Sequence, residues 1–158
     1  MVGCNASKAI KIKEGVDAFV FVGSGEFHPL ELVEVTNIKD IYILNPVSEE
    51  VSKIDKKYIE SLDKKRKGKL SRYILAKKIG VIVSTKPGQQ ALKTALRFAE
   101  TCVKEAYVFF GDEIDVRRLE DFNDIEICVN TCCPRLEGNN IISLKDVMGA
   151  KLVTYHTY

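Results

Sequence analysis

The sequence predicts an α/β protein built from layered, Rossmann-like units with parallel sheets. Short runs rich in Val, Ile and Phe alternate with longer segments of helical periodicity. This strand–helix–strand order favours parallel pairing through right-handed crossovers. The 158 residues are 46% hydrophobic and 29% charged, a composition typical of a globular chain that buries a core. Collagen, coiled coil and wholesale disorder are therefore excluded.

The predicted strands are short apolar runs that end at turn residues. They cover residues 17–22, 41–44, 79–83, 106–110 and 124–129. The first run ends in Gly23-Ser24-Gly25, and the second is closed by Asn45-Pro46, both of which are turn sequences. Because residues 17–22 form a continuous apolar run rich in Val and Phe, they predict a strand that is buried on both faces of a sheet.

The segments that separate the strands predict helices. The first begins at Pro29, and the others cover residues 55–78, 89–104, 114–122 and 143–148. Pro29 suits a first helical turn, and Ser143 with Asp146 three residues later resembles a capping box. In the long helix we expect Gly68 to interrupt or bend the chain, because glycine is a poor helix former.

The long basic helix is the predicted joint between two units, residues 1–55 and 56–158. Basic and acidic residues nearly balance, 24 against 22, so the net charge of +2 predicts neither nucleic-acid nor membrane binding. The basic run at residues 64–69 is the best nucleic-acid candidate, but it has few aromatic neighbours. A solvated helix face, or a docking surface for an RNA-binding partner, fits it better. We therefore expect no direct nucleic-acid binding.

The sequence also indicates a cellular compartment. No apolar run approaches the ~20 residues of a membrane-spanning helix. The first residues include acidic side chains and no apolar signal-peptide core, so we expect a cytoplasmic protein with no membrane attachment. In a reducing cytosol the five cysteines are thiols, metal ligands or redox groups and not structural disulfides.

Polar loops follow three of the predicted strands, at residues 23–28, 84–89 and 130–135. Ligands of parallel sheets bind at the carboxyl ends of strands, so we expect these loops to converge on one cleft. The Gly-Ser-Gly turn offers backbone N–H groups to a carboxylate or phosphate, although it is also an ordinary strand–helix turn. It lacks the full dinucleotide fingerprint, and residues 84–89 lack the Walker motif. His28 either contacts substrate or hydrogen-bonds its own loop.

The cysteines divide by position. Cys102 and Cys128 fall in a predicted helix and strand, where cysteine packs as a small hydrophobe. Cys132 and Cys133 precede Pro134 in a loop, a position common among iron–sulfur ligands. No C-x-x-C pair exists to indicate a zinc finger or thioredoxin chemistry. Spacing alone leaves a metal site at Cys4 and Cys133 as one hypothesis beside plain thiols.

Four segments together resemble a known family. They are VGCNAS at residues 2–7, FVGSGEFHPLEL at 21–32, YILNP at 42–46 and NTCCPRL at 130–136. In order and spacing they are similar to the diphthamide synthesis family, the 2-(3-amino-3-carboxypropyl)histidine synthases. The resemblance covers nearly the whole chain, and it is specific because the G-[DS]-G-x-F-H and C-P-R-[LI] patterns occur together.

The resemblance implies a fold and a reaction. Family members have three similar α/β domains around a [4Fe–4S] cluster, each domain supplies one cysteine, and the fourth iron binds S-adenosylmethionine. Cleavage of S-adenosylmethionine gives a 3-amino-3-carboxypropyl radical that alkylates a histidine of translation elongation factor 2. Against that pattern, residues 1–55 correspond to part of the middle domain and 56–158 to the C-terminal domain. We also expect a homodimer or heterodimer.

The family's functional positions map onto this sequence residue by residue. Cys4 and Cys133 match cluster ligands, whereas Cys132 stands where the family often has alanine. Five residues match the loop that lines the S-adenosylmethionine cleft: Gly23, Ser24, Gly25, Phe27 and His28. Thr85 and Gln89 match a second cleft loop, in which three other family residues are replaced.

The chain also departs from the family pattern, because the first domain and its cysteine are missing. Two thiolates do not complete a three-cysteine site. Either the chain is the C-terminal part of a longer enzyme or it is a truncated non-catalytic partner subunit. The remaining alternative is an unrelated small nucleotide-binding α/β domain.

Overall fold

A computed structural model describes residues 7–86, 91–133 and 135–150. The chain divides into two compact units, residues 1–64 and 65–158, and the division falls inside the long basic helix. Each unit has its own sheet and its own apolar core. The correspondence of these units to a partial middle domain and a C-terminal domain stays a prediction.

The first unit contains a three-stranded sheet with helices. Its elements are α1 (Ser7–Ile12), β1 (Phe19–Val22), α2 (Phe27–Thr36), β2 (Ile41–Leu44), β3 (Val51–Lys53) and the start of α3 (Lys56–Leu75). The strand order is β1-β2-β3, in which β1 pairs with β2 in parallel and β2 pairs with β3 antiparallel. The sequence did not predict β3, whose three residues are all exposed and form a strand only through the hairpin with β2.

One face of this sheet holds the core of the first unit. Ile41 and Ile43 on β2 are buried, and Phe19 and Phe21 on β1 pack against the same apolar cluster. Side chains alternate between the two faces of a strand, so Val20 and Val22 lie on the other face, where they are exposed. The prediction that this strand is buried on both faces is therefore wrong, because only one face of β1 packs against the described core. The core therefore fixes the register of β1, and with it the position of the turn that follows.

The second unit contains a parallel four-stranded sheet. Its elements after α3 are β4 (Lys78–Ser84), α4 (Leu92–Thr101), β5 (Glu105–Gly111), α5 (Val116–Leu119), β6 (Ile127–Asn130), β7 (Ile141–Ser143) and α6 (Leu144–Gly149). The order is β5-β4-β6-β7, and all three pairings are parallel. The predicted α/β class with parallel sheets is thereby confirmed. Among the strands of this unit, β7 alone was not predicted, because its three residues run directly into a helix.

Central strand β4 carries core residues on both of its faces. Ile79, Val81 and Val83 belong to the larger core cluster of the unit, together with residues of α3, α4 and α6. Ile82 belongs to a smaller cluster on the other face, with residues of β6, β7 and the α5 region. Apolar side chains cover both faces, which is why the sequence of β4 is continuously apolar.

Two local sequence signals meet different outcomes. The Ser143 side chain accepts a hydrogen bond from the Asp146 N–H at 3.1 Å, so the predicted helix cap is confirmed. The expectation that Gly68 interrupts the basic helix is wrong, since α3 runs without a break from Lys56 to Leu75. None of the helices in the described ranges is both long and apolar enough to cross a membrane.

Candidate functional site

The glycine turn after β1 is shaped by its backbone. The Gly23 N–H donates to the Leu44 carbonyl at 2.9 Å, which ties the turn to the end of β2. Gly25 has a φ of +78°, a left-handed conformation that glycine adopts without strain. Helix α2 then starts with Glu26 as its N-cap, whose side chain makes no capping hydrogen bond. The Glu26 side chain therefore does not cap the start of this helix, and a helix N-terminus of this kind suits an anion.

A small cavity opens at this turn. Its volume is about 200 Å³, and it is lined by Gly23, Ser24, Gly25, Glu26, Ile43, Asn45, Glu50 and Ser52. Pockets for drug-sized ligands usually measure ~300–1,000 Å³. The cavity is therefore large enough for one part of such a ligand, not the whole. It brings together three of the residues predicted for cofactor binding.

His28 lies in the first turn of α2, between two aromatic rings. Its ring centroid lies 5.3 Å from that of Phe27 and 6.2 Å from that of Phe21. The Nδ1 atom is buried and has no hydrogen-bond partner among the described residues. A buried polar atom without a partner is costly, so this nitrogen is available to a ligand or to water.

The second unit brings two of the predicted loops together at the carboxyl end of its sheet. Thr131 binds the Ile82 carbonyl twice, through its N–H at 3.1 Å and its hydroxyl at 2.8 Å. The Thr85 N–H donates to the Gly111 carbonyl at 3.0 Å. Residues 84–86 and 130–133 thus follow adjacent parallel strands, as predicted. Gln89 lies outside the described residues.

A buried asparagine organises the cysteine loop. Asn130, the last residue of β6, donates from Nδ2 to the carbonyls of Cys133 at 2.9 Å and Leu136 at 3.2 Å. Its Oδ1 accepts from the Cys132 N–H at 2.8 Å. One side chain therefore holds three points of the loop backbone. Our sequence reasoning did not single out Asn130, although a polar residue at the end of a buried apolar strand was a usable signal.

The two adjacent cysteines of this loop have different environments. The Cys132 thiol points to the Ile82 carbonyl, 3.3 Å away, and packs against the smaller core cluster. Burial raises its pKa, which keeps the thiol protonated. Cys133 is half-buried, and its thiol makes no hydrogen bond to residues that the structure describes. Of the two thiols, that of Cys133 is the one left available to a metal.

The other two cysteines that the structure describes, Cys102 and Cys128, show no ligand arrangement. Cys128 is buried on β6, where desolvation raises its pKa to about 11. Cys102 caps α4 and is half-buried beside the core. In the described ranges, no three His, Cys, Asp or Glu side chains are grouped to hold a metal ion. Cys4 lies outside those ranges.

The predicted meeting of all three loops stays a prediction. The glycine turn belongs to residues 1–64, whereas the loops after β4 and β6 belong to residues 65–158. The structure shows, in each unit, one group of residues at the carboxyl end of a strand that suits a ligand. The first is a glycine turn with an unpaired histidine nitrogen. The second is a thiol-bearing loop fixed by Asn130.

Comparisons with known proteins agree on one family. Residues 1–142 match the family described as "Putative diphthamide synthesis protein". The chain is 36% identical over 139 residues to the 2-(3-amino-3-carboxypropyl)histidine synthase of Pyrococcus horikoshii, covering 86% of this chain and 38% of that protein. It is 31% identical over 150 residues to the enzyme of the same name from Methanocaldococcus jannaschii, covering 92% and 42%.

A solved structure shares the fold. The crystal structure of Dph2 from Pyrococcus horikoshii with a 4Fe-4S cluster superposes with a TM-score of 0.76 at 30% identity. The match covers 98% of this chain and 46% of that one. The chain thus spans about two fifths of the length of the curated relatives that it matches.

Proposed function

This chain belongs to the diphthamide synthesis protein family, and from that premise we propose that it is the C-terminal part of a 2-(3-amino-3-carboxypropyl)histidine synthase. The proposed reaction transfers the 3-amino-3-carboxypropyl group of S-adenosylmethionine to a histidine of translation elongation factor 2. The observation that carries the proposal is the Cys133 loop, which Asn130 fixes at the carboxyl end of a parallel sheet.

The residues of this loop fit one ligand position of a [4Fe–4S] cluster. Thiolates are the usual cluster ligands, and the Cys133 thiol is available while that of Cys132 is turned to the Ile82 carbonyl. We propose Cys133 as a ligand, Cys4 as a second, and a further domain or chain as the source of the rest. When bound, the cluster supplies the electron that opens a carbon–sulfur bond of S-adenosylmethionine.

The glycine turn is proposed to bind part of S-adenosylmethionine. The N–H groups at the start of α2 suit the carboxylate of the amino acid portion, and the cavity beside them accepts a fragment of that size. Ser24 and Phe27 lie next to these groups, and the unpaired Nδ1 of His28 is available to a polar atom of the ligand. Thr85 and Gln89 would contribute from the second cleft loop.

Protein partners follow from the same proposal. Translation elongation factor 2 would be the substrate, and the chain would work in the cytoplasm as a homodimer or heterodimer. Strand β1 supports an assembly, because it is an edge strand that pairs with β2 alone among the described strands. Open edges of this kind accept a strand from another chain or need cover.

Anaerobic reconstitution with iron and sulfide tests the ligand assignment. We expect Cys133→Ala to remove most of the protein-bound iron and the thiolate-to-iron absorbance. The matched control is Cys132→Ala, one residue away, which we expect to retain both. Each variant is compared with the parent chain, alone and mixed with a full-length family member.

The opposite pattern would count against the ligand assignment. If iron is lost in Cys132→Ala and kept in Cys133→Ala, the inward-facing thiol is the ligand. Transfer of label from S-adenosylmethionine carrying ¹⁴C in its aminocarboxypropyl group to elongation factor 2 then tests the activity itself. No transfer by the cluster-loaded mixture would contradict the proposed reaction.

A non-catalytic partner subunit is the second candidate function. It rests on the two candidate cluster cysteines of this sequence, Cys4 and Cys133, which do not complete a three-cysteine site. In that case label transfer by a mixture with a catalytic chain would persist in Cys133→Ala. The family match excludes the third alternative, an unrelated nucleotide-binding domain.

A further inference from the structure

The basic helix α3 concentrates the positive charge of the protein. It carries eight of the 24 Lys and Arg residues but only two of the 22 Asp and Glu residues. The rest of the chain therefore holds 16 basic and 20 acidic residues and is net negative. The overall balance of +2 conceals one strongly cationic element on an acidic background.

Three lysines near Gly68, unlike the two arginines of this helix, have no side-chain partner among the residues that the structure describes. Arg66 forms an ion pair with Asp146 at 3.5 Å, and Arg72 donates to the Asn139 carbonyl at 3.3 Å. Lys64, Lys65 and Lys69 form no ion pair or hydrogen bond through their side chains with any residue that the structure describes. Like charges spaced three or four residues apart on a helix repel each other, so this arrangement destabilises the isolated chain.

Gly68 lies in the middle of the same surface. On a helix its neighbours at three and four positions are Lys64, Lys65, Ser71 and Arg72, all of them exposed. A Cβ atom at Gly68 would meet nothing within 4 Å, and the residue is helical. No packing or backbone requirement within the described protein thus explains a glycine that is less favourable than alanine here.

We propose that this surface, the basic face of α3 around Gly68, docks an acidic helical segment of a partner protein. Flanking lysines would pair with its Asp and Glu side chains, and the missing side chain at Gly68 would let the two backbones approach closely. Repulsion between lysines and a helical glycine both destabilise the isolated molecule, and such destabilising features are expected at functional surfaces. The proposal is independent of the cluster and of the proposed transferase activity.

A protein segment fits this surface better than a nucleic acid does. Tyr73, the aromatic residue of this half of α3, is buried, so no ring is exposed there to stack a base. A nucleic acid also extends its charge over a long distance and would meet the acidic remainder of the surface. The basic run of six residues extends only ~9 Å along the helix axis, which a short segment covers.

Binding of a fluorescein-labelled oligoglutamate peptide to the full chain tests the proposal by anisotropy. We expect saturable binding that weakens with salt and falls about tenfold in Lys64→Gln/Lys65→Gln, since two exposed ion pairs are lost. The matched control is Lys93→Gln/Arg97→Gln on α4, which removes the same charge from exposed positions and should change affinity less than twofold. Equal losses in both variants would overturn the proposal, because they indicate general charge attraction.

A second variant tests the close approach at Gly68. Gly68→Leu keeps the charge and favours the helix, and it should weaken peptide binding several-fold because the added side chain separates the two backbones. Circular dichroism checks that α3 is kept. Unchanged peptide binding in this variant would overturn the proposal. Tighter binding of double-stranded RNA than of the peptide at physiological salt, lost in the lysine variant, would instead assign the face to nucleic acid.

Discussion

The glycine turn and the cysteine loop both present groups to a ligand, but different parts of the chain hold them in position. Each presents groups at the carboxyl end of a parallel strand. The turn is built from backbone conformation, with Gly25 at a φ of +78° and no side-chain cap on the following helix. The loop is built from one buried side chain, Asn130, which binds three backbone groups.

The difference predicts where each region is vulnerable. A turn that depends on glycine fails when a Cβ atom is added, whereas a loop that depends on one amide fails when that amide is removed. It also separates two roles. Backbone N–H groups at the turn suit an anionic ligand, while the fixed loop positions the Cys133 thiol that we propose as a cluster ligand.

The largest effect is expected at Asn130. Asn130→Ala leaves the Cys132 N–H and the Leu136 carbonyl without this partner, while the Cys133 carbonyl keeps its bond from the Leu136 N–H. We expect the substitution to destabilise the protein by about 3 kcal/mol, measured by urea unfolding. Iron retention after reconstitution should fall as well, because the Cys133 backbone loses its bond to Asn130. Asn130→Asp keeps the acceptor but turns a buried carboxylate toward the Cys133 and Leu136 carbonyl oxygens, so its loss should be at least as large. A full loss of iron with unchanged stability would break the comparison.

We expect an added side chain to destabilise the glycine turn more at Gly23 than at Gly25. At Gly23, with a φ of +154°, a Cβ atom would lie 2.8 Å from the Phe21 ring, so Gly23→Ala should cost about 2 kcal/mol. At Gly25 a Cβ atom meets nothing within 4 Å, and only the left-handed conformation is strained, so Gly25→Ala should cost about 1 kcal/mol. Gly25→Asn should recover most of that loss, because asparagine tolerates this conformation. Equal costs at both positions would show that packing on Phe21 is unimportant.

Local sequence patterns predicted most of the secondary structure. The five apolar runs correspond to β1, β2, β4, β5 and β6. Of these, β4 and β6 are buried on both faces, whereas β1 exposes Val20 and Val22, so an apolar run indicated a strand without showing how many of its faces are buried. Strands β3 and β7, each of three residues, left no such signal, since they form only through pairing with a neighbouring strand. The predicted interruption at Gly68 is wrong, because the helix propensity of one residue has little effect when the turns on both sides of it are helical.

The candidate site was predictable in outline and not in its internal support. Strand-end topology pointed to the loops, and the family resemblance, not residue spacing, pointed to Cys133. No sequence rule predicts that Asn130 would bind three loop atoms or that the Cys132 thiol would face the Ile82 carbonyl. Such contacts depend on the packing of β4 against β6, which only the folded structure contains.

The last prediction concerns pH and needs no substitution to observe, because it follows from the burial of the Cys128 thiol. Burial raises the pKa of Cys128 from 9.0 to about 11. Below pH 9 this thiol is protonated in both the folded and the unfolded state, whereas between pH 9 and pH 11 the unfolded chain loses its proton first. Stability should therefore fall by about 1.5 kcal/mol over this window, less than the ~2.7 kcal/mol of an unscreened group.

Urea unfolding at pH 8 and pH 10.5 measures this fall, with the difference between the two values as the result. Cys128→Ala leaves a cavity that lowers the stability at both pH values, but it should still remove most of the difference between them. Tyr73 is the necessary control, because burial raises its pKa to about 12 and its titration overlaps the window. Tyr73→Phe should keep the part of the fall that belongs to Cys128. If the fall in stability between the two pH values is unchanged in Cys128→Ala, the Cys128 thiol is exposed to water and not buried.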